Sequence, residues 1–116
     1  MRTYSVPDVG NLEIAPKEIK WASEVGKQDF KITNNTKSRF AVKVKCTDND
    51  IYSIAPVAQF VEAGKCVTIA VVRSKGQMKK DKLVICSKPV TNEDKDVTEA
   101  FKKGVPTVEI IPMAKA

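Results

Sequence analysis

The sequence predicts an all-β sandwich, and three observations carry the prediction. Apolar residues recur at every second position through most of the chain, the strand signature. Turn-forming residues interrupt this alternation at short, regular intervals, giving about seven strands. The 116 residues, 42% of them hydrophobic, suffice for one core of ordinary size, and we expect residues 1–116 to form a single domain with its core at about 12–112. Clean alternation further predicts antiparallel sheets with one wet face each.

The elements follow in order. Leu12–Ala15 and Ile19–Trp21 are short candidate strands. Phe30 and Ile32 then alternate with Asp29, Lys31 and Thr33, and Asn34-Asn35-Thr36-Lys37 predicts a hairpin because Asn tolerates left-handed backbone angles. Phe40, Val42, Val44 and Cys46 alternate with Ala41, Lys43, Lys45 and Thr47. Ile51–Ala55 adds a short strand before Pro56. Val67, Ile69 and Val71 follow the break at Ala63-Gly64, and Leu83 and Ile85 follow the break at Lys75-Gly76. Near the end Val108 and Ile110 flank Glu109. The expected core is Phe30, Ile32, Phe40, Val42, Val44, Val67, Ile69, Val71, Leu83 and Ile85. The first ten and last four residues are expected to be loose tails.

One segment breaks the pattern. Asp96-Val97-Thr98-Glu99 matches a capping box, with Asp96 as N-cap and Glu99 three residues on. Val97, Ala100 and Phe101 share a helical face, Lys102 and Lys103 fall in the last turn, and Gly104 and Pro106 end it. This predicts a helix of roughly two turns before the last strand.

Charge and residue usage exclude more chemistry than they suggest. Lys+Arg is 20 and Asp+Glu is 14, a net charge of +6, which favours anionic partners. Seven of the basic residues (Lys65, Arg73, Lys75, Lys79, Lys80, Lys82 and Lys88) fall in one stretch with a single acid, Asp81. This reads either as solvated strand edges or as an anion- or peptide-binding face. Glu93 to Glu99 carries four acids against Lys95. With no histidine, Ser-His-Asp triads, Cys-His pairs and His-ligated metals are unavailable. No catalytic set remains, so we expect no enzyme and no cofactor. Cys46, Cys66 and Cys86 show no Cys-x-x-Cys spacing and are expected to be reduced; Cys46, following Lys43 and Lys45, is the only candidate for a reactive thiol. Asp48 and Asp50 lack the Gly and Glu spacing of a calcium loop. Basic–aromatic interleaving is missing, so nucleic acid is not an expected partner. No apolar run approaches the ~20 residues of a membrane span, and the first ten residues lack a signal's apolar stretch. A cytosolic protein is expected, one in which the Asn34-Asn35-Thr36 sequon would not meet the glycosylation machinery.

The runs Phe30-Lys31-Ile32-Thr33-Asn34-Asn35-Thr36 and Phe40-Ala41-Val42-Lys43-Val44-Lys45-Cys46-Thr47 resemble the central signature of the major sperm protein (MSP) domain family. Tyr52 to Gly64 is similar to that family's Tyr-x-Val-x-Pro…Gly-x-Ile-x-x-Gly segment, with Gln59 in place of the usual Gly. The resemblance runs from about Leu12 to Pro112. It implies a seven-stranded immunoglobulin-like β-sandwich with a short helix before the last strand. It also implies a non-enzymatic cytoplasmic protein of nematode sperm acting through protein–protein contacts, in or beside the sperm cytoskeleton. The partner would be a second copy (a homodimer or higher assembly) or another protein. With no anchor or coiled coil expected after Pro112, the resemblance is to the stand-alone sperm-specific members.

In the membrane-anchored relatives, the VAMP-associated proteins, the equivalents of Lys43, Lys45, Thr47 and Lys82 line a basic groove for acidic, phenylalanine-containing peptides. The resemblance therefore implies an alternative, a binding module for such peptides or for phosphoinositides. Cys46 stands where those relatives have Thr, and Val84 where they have Met. Alternation places Lys43, Lys45 and Thr47 on one solvent face, and a shared site would need the Lys82–Val84 strand beside them.

Overall fold

The computed structural model describes residues 12–77 and 79–116. One sheet contains β1 (Glu13–Ala15), β3 (Gly26–Thr33), β5 (Tyr52–Ala55) and β7 (Cys66–Arg73). The other contains β2 (Ile19–Trp21), β4 (Arg39–Cys46), β6 (Ala58–Val61), β8 (Asp81–Val90) and β9 (Thr107–Lys115). Their spatial orders are β1-β3-β7-β5 and β2-β9-β8-β4-β6. The sandwich is as expected, but the described residues hold nine strands rather than seven. β6 is a strand the alternation does not reveal, because three of its four residues are half-buried. One pairing is parallel, against expectation: β2 runs beside β9 with Ile19 opposite Met113.

Every connection except that from β8 to β9 passes between the sheets. Asn34–Lys37 is therefore not a hairpin, since β3 and β4 lie in different sheets. Asn34 is fully buried, and among the described residues only glycines have positive φ. Its Nδ2 donates to the Ser38 carbonyl at 2.8 Å and the Val61 carbonyl at 2.9 Å. Its Oδ1 accepts from the Thr36 N–H at 3.0 Å and the Thr36 hydroxyl at 2.6 Å. Its backbone bonds Lys65 and Gly64, each at 2.8 Å. One side chain thus satisfies the polar groups of the β3–β4 crossing and ties them to β6. The sequon's acceptor amide is enclosed, with both hydrogens in use.

The core lies between the sheets. Nine of the ten expected core residues are buried, while Val67, at the start of β7, is half-buried. Leu12, Ile14, Ile19, Trp21, Tyr52, Val61, Ile111 and Met113 complete it. Met113 is buried within β9, so the last four residues are not a loose tail; the first ten lie outside the described residues.

The helix, α1 (Val97–Ala100), has four residues rather than two turns. Asp96 caps it, accepting from the N–H groups of Thr98 and Glu99 at 2.9 and 3.3 Å. Glu99 pairs with Lys102 at 3.0 Å, and Lys102 and Lys103 fall beyond the helix. Lys88 explains the early end. Its ammonium takes the carbonyls of Ala100 and Lys103, and Gly104 turns away at φ +70°.

Truncating Asn34 to Ala strands the buried Val61 carbonyl and the Thr36 N–H, so it should cost about 3 kcal/mol. Asn35→Ala, on the exposed neighbour, should stay within about 0.5 kcal/mol. Phe40→Ala, between Val61 and Pro89 in the sheet, should cost about 3–5 kcal/mol. Urea melts of the three variants give these values directly.

Candidate functional site

The register of β4 and β8 sets Lys43 opposite Cys86 and Lys45 opposite Val84. Just past β4, the Thr47 N–H donates to the Lys82 carbonyl at 3.2 Å. Lys43, Lys45, Thr47, Lys82 and Val84 therefore project from one outer face on neighbouring strands. Lys45, Thr47 and Lys82 are exposed, and Lys43 and Val84 are half-buried.

The neighbouring strands add apolar surface that the sequence reading did not assign to this face. β9 sets Ile110 beside Val84 and Pro112 beside Lys82, and Val108 and Ile110 are 53% and 51% exposed. The Val108-Glu109-Ile110-Ile111 pattern allows either parity inward, and packing selects Ile111 and Met113. On the other side β6 contributes Phe60, whose ring lies 3.8 Å beneath the Arg39 guanidinium. A shallow hollow of about 290 Å³ opens among Thr47, Lys80, Asp81, Lys82, Ile110 and Pro112. The face is an apolar strip rimmed by cations.

A buried polar chain supports this end of the face. Arg73, 2% exposed, donates to the carbonyls of Glu24, Ser74, Gly76 and Gln77 and, at 3.4 Å, to the Tyr52 hydroxyl. The Tyr52 hydroxyl donates to Asp81 at 3.1 Å. Asp81 also accepts from the Thr47 hydroxyl at 2.9 Å and from Lys79 at 2.8 Å, and Lys79 pairs with Asp48 at 3.0 Å. The Thr47 hydroxyl is thus engaged, donating to Asp81 while its oxygen accepts from the Lys82 N–H at 3.2 Å.

This chain reassigns part of the basic stretch. Arg73 is an interior residue, Lys79 is paired with Asp48 and Asp81, and Lys88 caps α1. Lys80 and Lys82 remain exposed at the hollow. No signal in the sequence separates these roles, since each is set by partners distant along the chain. All three cysteines are free. Burial, helped by the charges of Asp48 and Asp81, raises the Cys46 thiol and disfavours the thiolate, outweighing the Asp48 backbone bond that favours it. Among the described residues, no three His, Cys, Asp or Glu side chains converge as a metal would require.

Burial pushes the Asp81 carboxyl upward, but hydrogen bonds from Lys79, Thr47 and Tyr52 outweigh it and hold the group below the ordinary Asp range. The bond from Lys79 likewise lowers Asp48. In acid the unfolded chain takes up these protons first, so the carboxylates stabilise the fold above pH ~4 and lose that effect as pH falls through their folded values. The melting temperature should drop steeply below pH ~4. Asp81→Asn should cost about 2 kcal/mol at pH 7 and flatten the acid limb. A parallel slope in the variant would exclude Asp81 as a source of the acid sensitivity.

Residues 11–109 match the family model of the MSP (Major sperm protein) domain. The chain is 30% identical over 104 residues to Sperm-specific class P protein 32 of Caenorhabditis elegans, covering 90% of this chain and 97% of that protein. It is 33% identical over 100 residues to Sperm-specific class P protein 34 of the same organism, covering 86% and 94%. The structure of WR4, a C. elegans MSP family member, superposes with a TM-score of 0.84 at 30% identity, covering 90% of this chain and 97% of WR4. The strand order, the two-sheet packing and these matches agree: the chain belongs to the major sperm protein domain family.

Proposed function

We propose that this chain is a single-domain, non-enzymatic, cytoplasmic sperm protein that works through protein–protein contacts, in or beside the sperm cytoskeleton. One observation carries the reading. The outer face of the five-stranded sheet joins exposed Val108 and Ile110 to the cations of Lys43, Lys45 and Lys82. Apolar area supplies the adhesive part of such a contact, and the cations steer and orient an acidic partner. The sperm-specific relatives support the cellular setting. Among the described residues, no helix is long and apolar enough to cross a membrane.

The hollow beside Lys80, Lys82, Ile110 and Pro112 favours a second reading, capture of an acidic, phenylalanine-containing peptide. An aromatic side chain would rest against Ile110 and Pro112 while its acidic neighbours meet the ammonium groups. Phosphoinositide headgroups are the competing ligand for the same cations.

Calorimetric titration at low salt with an acidic peptide containing two phenylalanines tests the face. The Lys43→Asp/Lys82→Asp variant should bind at least about tenfold more weakly while melting within a few degrees of the parent. Parent affinity should also fall with added salt, because exposed charges are screened beyond ~8 Å at physiological ionic strength. Equal affinity in the two proteins would remove this face from the function.

A further inference from the structure

Two cations pin the connection from β8 to β9 against the five-stranded sheet. The Arg39 guanidinium donates to the Thr91 and Asp94 carbonyls, each at 2.7 Å. The Lys88 ammonium donates to the carbonyls of Ala100 and Lys103. Between this segment and the end of β8 opens a cavity of about 640 Å³, more than twice the hollow on the candidate face. Ser38, Lys88, Thr91, Glu93, Asp94 and Lys103 line it. Lys88 lies six residues along β8 from Lys82, so about 20 Å separates the two places. A cavity of this size that gathers a few polar groups is where small ligands bind.

The lining has unfilled capacity of both signs. An ammonium carries three N–H groups, and Lys88 uses two of them on carbonyls. Ser38 and Glu93 make their hydrogen bonds through backbone groups, which leaves the Ser38 hydroxyl and the Glu93 carboxylate without a partner among the described residues. Lys103 and Asp94 face each other at 3.7 Å, beyond hydrogen-bond reach, and the Lys103 side chain is 73% exposed. So loose a pair opens at little cost. Asp94 itself is held in place by the Thr91 N–H at 2.9 Å and the Thr91 hydroxyl at 3.2 Å. Those bonds, the backbone one foremost, keep its carboxyl ionised and below the usual Asp range.

From this arrangement we infer that the cavity binds an aminoalkyl phosphate, a small zwitterion with a phosphate monoester at one end and a primary ammonium at the other. Two cations and two carboxylates share the lining. A lone anion is repelled by Glu93 and Asp94, and a lone cation by Lys88 and Lys103, whereas a zwitterion satisfies both signs. The phosphate accepts from Lys88, Lys103 and the Ser38 hydroxyl, three donors for its three terminal oxygens. A carboxylate has only two. The ligand's ammonium donates to Glu93 and Asp94, so one loose 3.7 Å pair is exchanged for several charge-assisted hydrogen bonds. Pro89 and Val90 give the methylenes between the two ends an apolar wall. The site shares no residue with the candidate face.

Heteronuclear NMR titration of the full chain with O-phosphoethanolamine is the test. The amides of Ser38, Thr91, Glu93, Asp94 and Lys103 should shift together and saturate with a Kd on the order of 1 mM. Inorganic phosphate, ethanolamine and β-alanine should each bind at least about tenfold more weakly, since each lacks one end or one oxygen. Lys103→Gln and Glu93→Gln, both on exposed side chains, should each weaken binding about tenfold while melting within a few degrees of the parent. Lys43→Asp/Lys82→Asp should leave the titration unchanged, which separates this site from the candidate face. No shift at these residues overturns the proposal. Phosphate alone binding as tightly also overturns it, reducing the site to one for a simple anion. Retention on vesicles of phosphatidylethanolamine and phosphatidylcholine, with no response to the free compound, would overturn it too and point to a lipid headgroup.

Discussion

The Tyr52 hydroxyl, 3.1 Å from the Asp81 carboxylate, is the point at which a buried polar chain passes from one sheet to the other. Arg73 and Tyr52 belong to the four-stranded sheet, Asp81 to the five-stranded one, and Thr47 follows β4. A buried charge is tolerated only when its hydrogen-bonding capacity is filled. Arg73 meets that condition with backbone carbonyls and Tyr52, and Asp81 meets it with Tyr52, Thr47 and Lys79. Removing Asp81 or Tyr52 leaves a buried neighbour with part of its hydrogen-bonding capacity unfilled. The candidate face inherits its geometry from this chain, because Thr47 joins Asp81 below it to the Lys82 backbone at its surface.

Asn34 does comparable work at the opposite end of the sandwich. There the chain crosses from β3 to β4, and the buried amide joins that crossing to β6. Between the two polar sites, core packing is apolar and fixed by the pleat of each strand. A sandwich whose successive strands lie in opposite sheets needs such anchors, since most of its connections cannot be tight hairpins.

Legibility in the sequence followed the range of each interaction. Strand positions were legible because alternation is local: Phe40, Val42 and Val44 point inward as their spacing requires. The family was legible from the same runs, and the residue-by-residue carry-over put Lys43, Lys45, Lys82 and Val84 on strands that are in fact neighbours. Sheet partners were not legible, because an Asn-Asn-Thr-Lys turn looks alike whether it joins neighbours or crosses the core. Arg73 read as surface charge because its carbonyl partners come from loops at residues 24 and 74–77. β9 hid its parity because Ile110 and Ile111 are adjacent, and only packing decides which one is buried.

The most direct test of the cross-sheet link is a double-mutant cycle between Tyr52→Phe and Asp81→Asn, read by urea unfolding at pH 7. Each change keeps the shape of its side chain and alters one end of the 3.1 Å contact. A bond that joins the sheets requires the two losses to be non-additive, with a coupling of about 1 kcal/mol. Losses that add within about 0.3 kcal/mol would contradict the account and leave the sheets held together by apolar packing alone.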